Sequence, residues 1–137
     1  MILVDTGFWL ALANAKDRHH ARARAALAKH RGPFTTTWPV MTETCHLLSR
    51  LGPDAARAFV RSAALGAFAI FQLERAHLPR IEVLMEKYRD LPMDLADASL
   101  VILAEESGSG DILSTDQRDF GAYRFKNRKP FKNLLLP

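Results

Sequence analysis

Residues 90–106, DLPMDLADASLVILAEE, read as a helix that is apolar almost all round. Such a helix belongs in an interior and must be covered by other elements on most of its faces. Yet Asp94 and Asp97 sit near its start, three apart and so on neighbouring parts of one face. Asp97 lies between Ala96 and Ala98, with Leu100, Val101 and Ala104 following on its side. A carboxylate placed there is costly to desolvate, and whatever offsets that cost decides what the chain does.

The elements that cover this helix are legible from periodicity and punctuation. Met1–Val4 is a short apolar run ending at Asp5, as in a buried strand. Gly7–Asn14 reads as a short buried helix. His19–His30 reads as an amphipathic one, with Ala21, Ala25, Leu27 and Ala28 as its apolar positions. Gly32-Pro33 breaks it, and Phe34–Thr37 is β-rich. Pro39 opens a helix to about Leu51, Gly52-Pro53 stops it, and Asp54–Leu65 follows as another. Ala67–Leu73 reads as a strand, Ala76–Tyr88 as a helix, Asp111–Ser114 as a strand and Phe131–Leu136 as a last strand at a sheet edge. Strands alternating with helices predict an α/β domain, with a mainly parallel sheet sandwiched between helix layers.

The chain's 137 residues suit one domain spanning 1–137, and 48% hydrophobic with 25% charged residues fits a soluble globular protein. The start has no basic segment, and Asp5 interrupts its apolar run, so no secretory leader is expected. No run approaches the ~20 apolar residues of a membrane span. The single cysteine, Cys45, has no internal partner and reads as core packing in a reducing cytoplasm. A formal net charge of +4 permits an anionic partner.

Four acids fall at related places. Asp5 ends the first strand, and Asp116 stands just past Ile112–Ser114. Ligands of parallel α/β sheets gather outside the carboxyl ends of the strands, so both point at one rim. Asp97 and Glu43 lie in the first turns of helices that begin near the same rim. Carboxylates brought that close repel one another, and the natural compensation is a hard divalent cation, Mg²⁺ or Mn²⁺. Each acid also has a plainer reading. Asp94 follows Pro92 and suits a helix N-cap, Asp116 with Asp119 suits a turn, and Glu43 suits a solvated helix face.

Asp5 in LVDTG, Glu43 in MTETCHLL, Asp97 in LADASLVILAE and Asp116 in LSTDQRDF together resemble the PIN-domain family, and most of all its VapC-like ribonuclease toxins. DRHHARA is similar to the family's second helix, and the likeness runs from the first strand to about Phe120. The resemblance implies a three-layer α/β/α fold and a metal-dependent endoribonuclease, often dimeric and held in check by an antitoxin protein. It carries the acidic quartet onto Asp5, Glu43, Asp97 and Asp116, with Thr6 and Thr115 as small hydroxyl positions beside the site.

Phosphodiester hydrolysis also suits these residues chemically. Asp5 and Asp97 are the expected direct ligands of the cation, Asp116 completes the site or holds a second ion, and Glu43 orients or deprotonates water. RNA needs basic surroundings as well. Arg124, Lys126, Arg128 and Lys129 lie among Phe120, Tyr123, Phe125 and Phe131, a pattern suited to phosphate contact and base stacking, or else to a solvated tail with its aromatics in the core. A phosphatase of the haloacid-dehalogenase type needs a second Asp where Gly7 stands, and a phospho-receiver needs an early acidic pair where only Asp5 occurs. A non-catalytic interaction domain, its acids serving as caps and turn residues, is the remaining alternative.

Overall fold

The computed structural model describes residues 1–137. Its centre is a five-stranded sheet, parallel at every pairing, in the order β3-β2-β1-β4-β7. The strands are β1 (Ile2–Val4), β2 (Phe34–Thr37), β3 (Ala69–Phe71), β4 (Asp111–Leu113) and β7 (Lys132–Asn133). A separate antiparallel hairpin pairs β5 (Arg124–Phe125) with β6 (Lys129–Pro130). Ile2, Leu3 and Val4 are all buried, because a central parallel strand is covered on both faces.

The helices are α1 (Thr6–Ala13), α2 (His20–Lys29), α3 (Trp38–Leu48), α4 (Pro53–Ala64), α5 (Leu78–Lys87), α6 (Leu95–Ser107) and α7 (Gln117–Ala122). From β1 the chain steps outward one way to β2 and β3, then crosses back to β4 and β7 on the other side. Right-handed crossovers in opposite directions place their helices on opposite faces, which makes the fold a three-layer α/β/α sandwich. The strand order reverses between β1 and β4. Chains leaving those two strands diverge and leave a crevice at their carboxyl ends.

α6 is the interior helix expected from its sequence: Ala96 and every residue from Ala98 to Ala104 are buried. Gly108, at φ 76°, ends it by donating its N–H to the Ala104 carbonyl. One aromatic cluster, Trp9 with Phe59 and Phe68, joins α1 to α4 and the β3 side. A second joins Phe120, Tyr123, Phe125, Phe131 and Tyr88 under the C-terminal segment.

Some expectations need correction. The face of α2 that packs is Ala23 and Ala26, while Ala21, Ala25, Leu27 and Ala28 are exposed. Alanines occur on every side of this helix, so the pattern carried little phase information. The strand expected over Ala67–Leu73 shortens to β3, and the edge strand expected over Phe131–Leu136 shortens to β7. α7 and the β5–β6 hairpin were not anticipated, because six- and two-residue elements are too short for periodicity to register. Cys45 is a half-buried free thiol packed against the core. No helix is long and apolar enough to cross a membrane.

Candidate active site

Asp5 and Asp116 lie just past β1 and β4, at the switch, while Glu43 and Asp94 line a cavity of about 590 Å³ between α3 and α6. Asp5 is the N-cap of α1 and only 7% exposed. Its Oδ1 accepts the Thr6 N–H at 2.8 Å and its Oδ2 accepts the Ser114 hydroxyl at 2.9 Å. Across the switch, Asp116 caps α7: its Oδ1 accepts the Asp119 N–H at 2.9 Å, and its own N–H donates to Ser114 Oγ at 2.9 Å. One hydroxyl therefore fixes both acids. Ser114 is held in turn by the Asn133 side chain, whose Nδ2 donates to the Ser114 carbonyl at 2.9 Å.

Asp94 is the N-cap of α6 and accepts the Asp97 N–H at 2.8 Å. Asp97 returns the contact weakly, Oδ2 accepting the Asp94 N–H at 3.3 Å, and also accepts the Tyr123 hydroxyl at 3.3 Å. These bonds leave Asp97 Oδ1 without a protein partner. α6 is locked to the start of α3 by the Thr37 and Ser99 hydroxyls, 2.6 Å apart, and α3 carries half-buried Glu43 in its second turn.

Asp5, Glu43, Asp94, Asp97 and Asp116 form no ion pair; the nearest in sequence joins Arg118 to Asp119, whose N–H donates to Asp116. Burial pushes the Asp5 carboxyl up to about 6 despite its two hydrogen bonds, and the charges of Glu43 and Asp116 add to the rise. Burial likewise pushes Asp97 up to about 8, with Asp94 and Asp5 reinforcing it. Asp5 is thus within electrostatic reach of Glu43 and Asp116, and Asp97 within reach of Asp94 and Asp5. Tyr123 is driven upward by burial and then by the Asp97 charge, so it remains a neutral donor.

No three side chains converge tightly enough to form a ready-built metal cage. The donor set is nevertheless all carboxylate oxygen, with Asp5 buried and Glu43, Asp97 and Asp116 half-buried, and none of the four is paired with a cation of the chain. It fits a small hard dication that takes one or two carboxylates and keeps several waters.

The basic segment lies elsewhere than expected. Lys126 donates its backbone N–H to Glu105 near the C-terminal end of α6, eight residues or roughly 12 Å along the helix from Asp97. Gly110, at the start of β4, abuts Phe125 and Pro130, which puts the hairpin at the opposite end of the sheet from the acids. Arg124 Nη1 is spent on the Gly121, Ala122 and Tyr123 carbonyls at the end of α7. Phe120, Tyr123 and Phe125 are buried and unavailable for stacking on bases. The hairpin with Lys126, Arg128 and Lys129 therefore lies away from the acids, and the aromatics that precede it pack in the core, Tyr123 reaching Asp97 from there.

Sequence reasoning missed Ser114 and Tyr123 as groups that hold the acids. Ser114 was readable from register: Val4 pairs with Leu113, so the residues following them are neighbours. Nothing local marks Tyr123, which reaches Asp97 only through the turn after α7.

A family model described as PIN domain matches residues 2–126. The chain belongs to the PIN-domain family. Ribonuclease VapC26 of Mycobacterium tuberculosis is 29% identical to this PIN domain over 124 residues, covering 90% of this chain and 92% of that one. The 23S rRNA-specific endonuclease VapC20 of the same organism is 29% identical over 133 residues, 95% of this chain and 99% of its own. The crystal structure of that VapC20, a sarcin-ricin loop cleaving toxin, matches with a TM-score of 0.82 at 26% identity, over 95% of this chain and 100% of that one. The PIN-domain fold expected from the sequence is thereby shown.

Proposed function

We propose that this PIN domain is a VapC-type endoribonuclease that hydrolyses RNA phosphodiester bonds in the cytoplasm with Mg²⁺ or Mn²⁺. Its main support is a set of unpaired carboxylates near the strand ends: buried Asp5 is subject to the charges of Glu43 and Asp116, and Asp97 to that of Asp5. The relatives named as ribonucleases support the reaction class.

Asp5 and Asp97 would hold the cation, and Asp116 would complete the site. When bound, the ion supplies a lowered pKa for water and neutralises charge on the phosphate. Ser114 and Tyr123 orient Asp5 and Asp97 by donating to one oxygen of each. Glu43, free of any bond, is placed to orient or deprotonate the attacking water.

The interaction-domain reading has one observation in its favour: Asp5, Asp97 and Asp116 each accept a backbone N–H at a helix start. Asparagine and serine cap about as well without charge, so capping does not account for three repelling carboxylates. The experiment is direct. Purified protein should cleave single-stranded RNA with Mg²⁺ or Mn²⁺ and stop on addition of EDTA; absence of cleavage with either ion would remove the nuclease reading. Replacing Lys126, Arg128 and Lys129 by Gln should leave cleavage of a short oligoribonucleotide within about twofold, because remote charges act only through a screened field. A tenfold loss would return the hairpin to the substrate path.

In this reading the domain also pairs with a second copy and with an antitoxin segment. Trp38 and Val60, 48% and 50% exposed, wall an apolar cavity of about 560 Å³ beside edge strand β3, a face suited to a second copy. A cleft of about 380 Å³ between α1, α2 and α4, lined by Phe8, Trp9, Leu12, Leu27 and Phe59, suits a partner segment. Sedimentation at micromolar concentration should report a dimer, and Trp38→Glu should shift it to monomer. A native monomer would count against the pairing.

A further inference from the structure

A second cavity, of about 330 Å³, adjoins the acid crevice and is lined by Gly7, Leu10, Asp17, Arg18, His19 and Thr115. Gly7 lies two residues beyond Asp5 and Thr115 one residue before Asp116, so the two spaces share a wall. Unlike the acid site, the cavity has a cation in its lining, Arg18, which is exposed and in no ion pair. Asp17 is its one acid, and its Oδ1 accepts the His19 N–H at 2.8 Å.

The loop that presents these groups is tied down. Asp17 N–H donates to the Asn14 carbonyl at 3.0 Å, and His20 N–H donates to the Asp17 carbonyl at 3.0 Å. His20 Nδ1 meets the Ala11 carbonyl at 2.7 Å, which pins the start of α2 to α1. On the opposite wall, the Thr115 hydroxyl has no protein partner and rests against Gly7. A Cβ at residue 7 would lie 1.8 Å from Thr115 Oγ1, so only glycine allows this approach. A guanidinium, an imidazole, a hydroxyl and the Asp17 carboxylate thus line one small polar space near Asp5 and Asp116, which themselves repel a phosphodiester.

We propose that this cavity is a subsite for the backbone phosphate next to the scissile one, with Arg18 and His19 as positioning residues and Thr115 as a hydrogen-bond donor. The proposal rests on the ribonuclease reading. A phosphate fits better than a base, because the lining has one apolar side chain and no stacking ring apart from His19. Arg18 beside the acids also supplies an attraction for phosphate that the carboxylates lack.

The test measures a fluorescein-labelled single-stranded oligoribonucleotide, by binding in EDTA and by cleavage in Mn²⁺. Arg18→Gln/His19→Gln should raise KM about tenfold with kcat within twofold, the pattern of lost ground-state binding. The log–log salt slope of binding should flatten by about 0.7 for each phosphate contact removed. Melting temperature and Mn²⁺ affinity should stay as in the native protein, and Arg18→Lys should restore part of the binding. An unchanged KM and salt slope, in a native protein that cleaves, would overturn the subsite and leave the nuclease reading intact. Native protein that binds RNA through Arg18 and His19 but fails to cleave it with either Mg²⁺ or Mn²⁺ would sustain a phosphate-binding cavity and remove the nuclease reading. Loss of Mn²⁺ affinity in the double variant would overturn the subsite, since the residues would then belong to the acid site.

Discussion

Asp97→Asn should cut metal-dependent RNA cleavage by at least roughly 10²–10³-fold, the scale of losing one preorganised charge from a reaction site. The same change should raise the melting temperature of the metal-free protein. Asparagine keeps an oxygen for the Asp94 N–H and the Tyr123 hydroxyl, while the charge that Asp94 and Asp5 oppose disappears. Relief of about 1–2 kcal/mol corresponds to several degrees for a domain of this size. Calorimetry in EDTA, alongside a cleavage assay in Mn²⁺, reads both effects. A lower melting temperature with cleavage intact would mean that Asp97 serves only to cap α6.

Metal-free stability should fall as pH rises from about 4 to about 8, and flatten above. Asp5 and Asp97 ionise in the unfolded chain near 3.8, but only near 6 and near 8 in the folded one. Between those limits the folded state binds more protons, so raising pH favours unfolding. The stabilisation is complete below pH 3.8 for these two groups and is lost as pH passes through the folded values. A tenfold difference in proton affinity between the folded and unfolded chain corresponds to about 1.4 kcal/mol, and the two carboxyls oppose each other, so a combined loss of roughly 2–4 kcal/mol is expected. Asp97→Asn should remove the upper part of this dependence, from about pH 6 to 8. Saturating Mg²⁺ should remove most of it, by stabilising the folded state where the acids are ionised. Denaturant titrations at a series of pH values, with and without the ion, measure this directly. A metal-free stability that is flat across pH 4–8 would mean that the crevice is open to solvent and its acids are unstrained.

Much of this architecture was legible in the chain because its strongest signals are also its most constrained positions. Apolar β1 followed at once by Asp5, and α6 with Asp97 among alanines and leucines, each join a long buried run to a charge. Such a pairing leaves few arrangements. Asp94 as the cap of α6 followed from local chemistry alone. The failures share a cause. α2 is built of alanine and arginine, whose small and long side chains give no clear face, so its packed residues, Ala23 and Ala26, were not found. The C-terminal stretch mixes aromatic and basic residues in proportions that suit RNA contact as well as a folded hairpin. Only the tertiary contact of Phe125 with Gly110, and of Lys126 with Glu105, decides between them. Tyr123 reads as a base-stacking residue in sequence and becomes a buried hydroxyl donor in the fold.

α1, α3 and α6 all begin at the rim where the acids gather, capped by Asp5, Thr37 and Asp94. Each helix start contributes roughly half a positive charge from its unsatisfied N–H groups. The crevice is therefore two opposed layers: a positive floor built from main chain, and a negative lining built from side chains. The floor belongs to the topology and persists through any substitution that leaves the helices standing; the lining is only as permanent as its carboxylates. Neutralise the lining, by protonation or by amide replacement, and the same hollow turns from repelling a phosphodiester to welcoming one. The acids thus act as gatekeepers over a backbone that would otherwise collect anions.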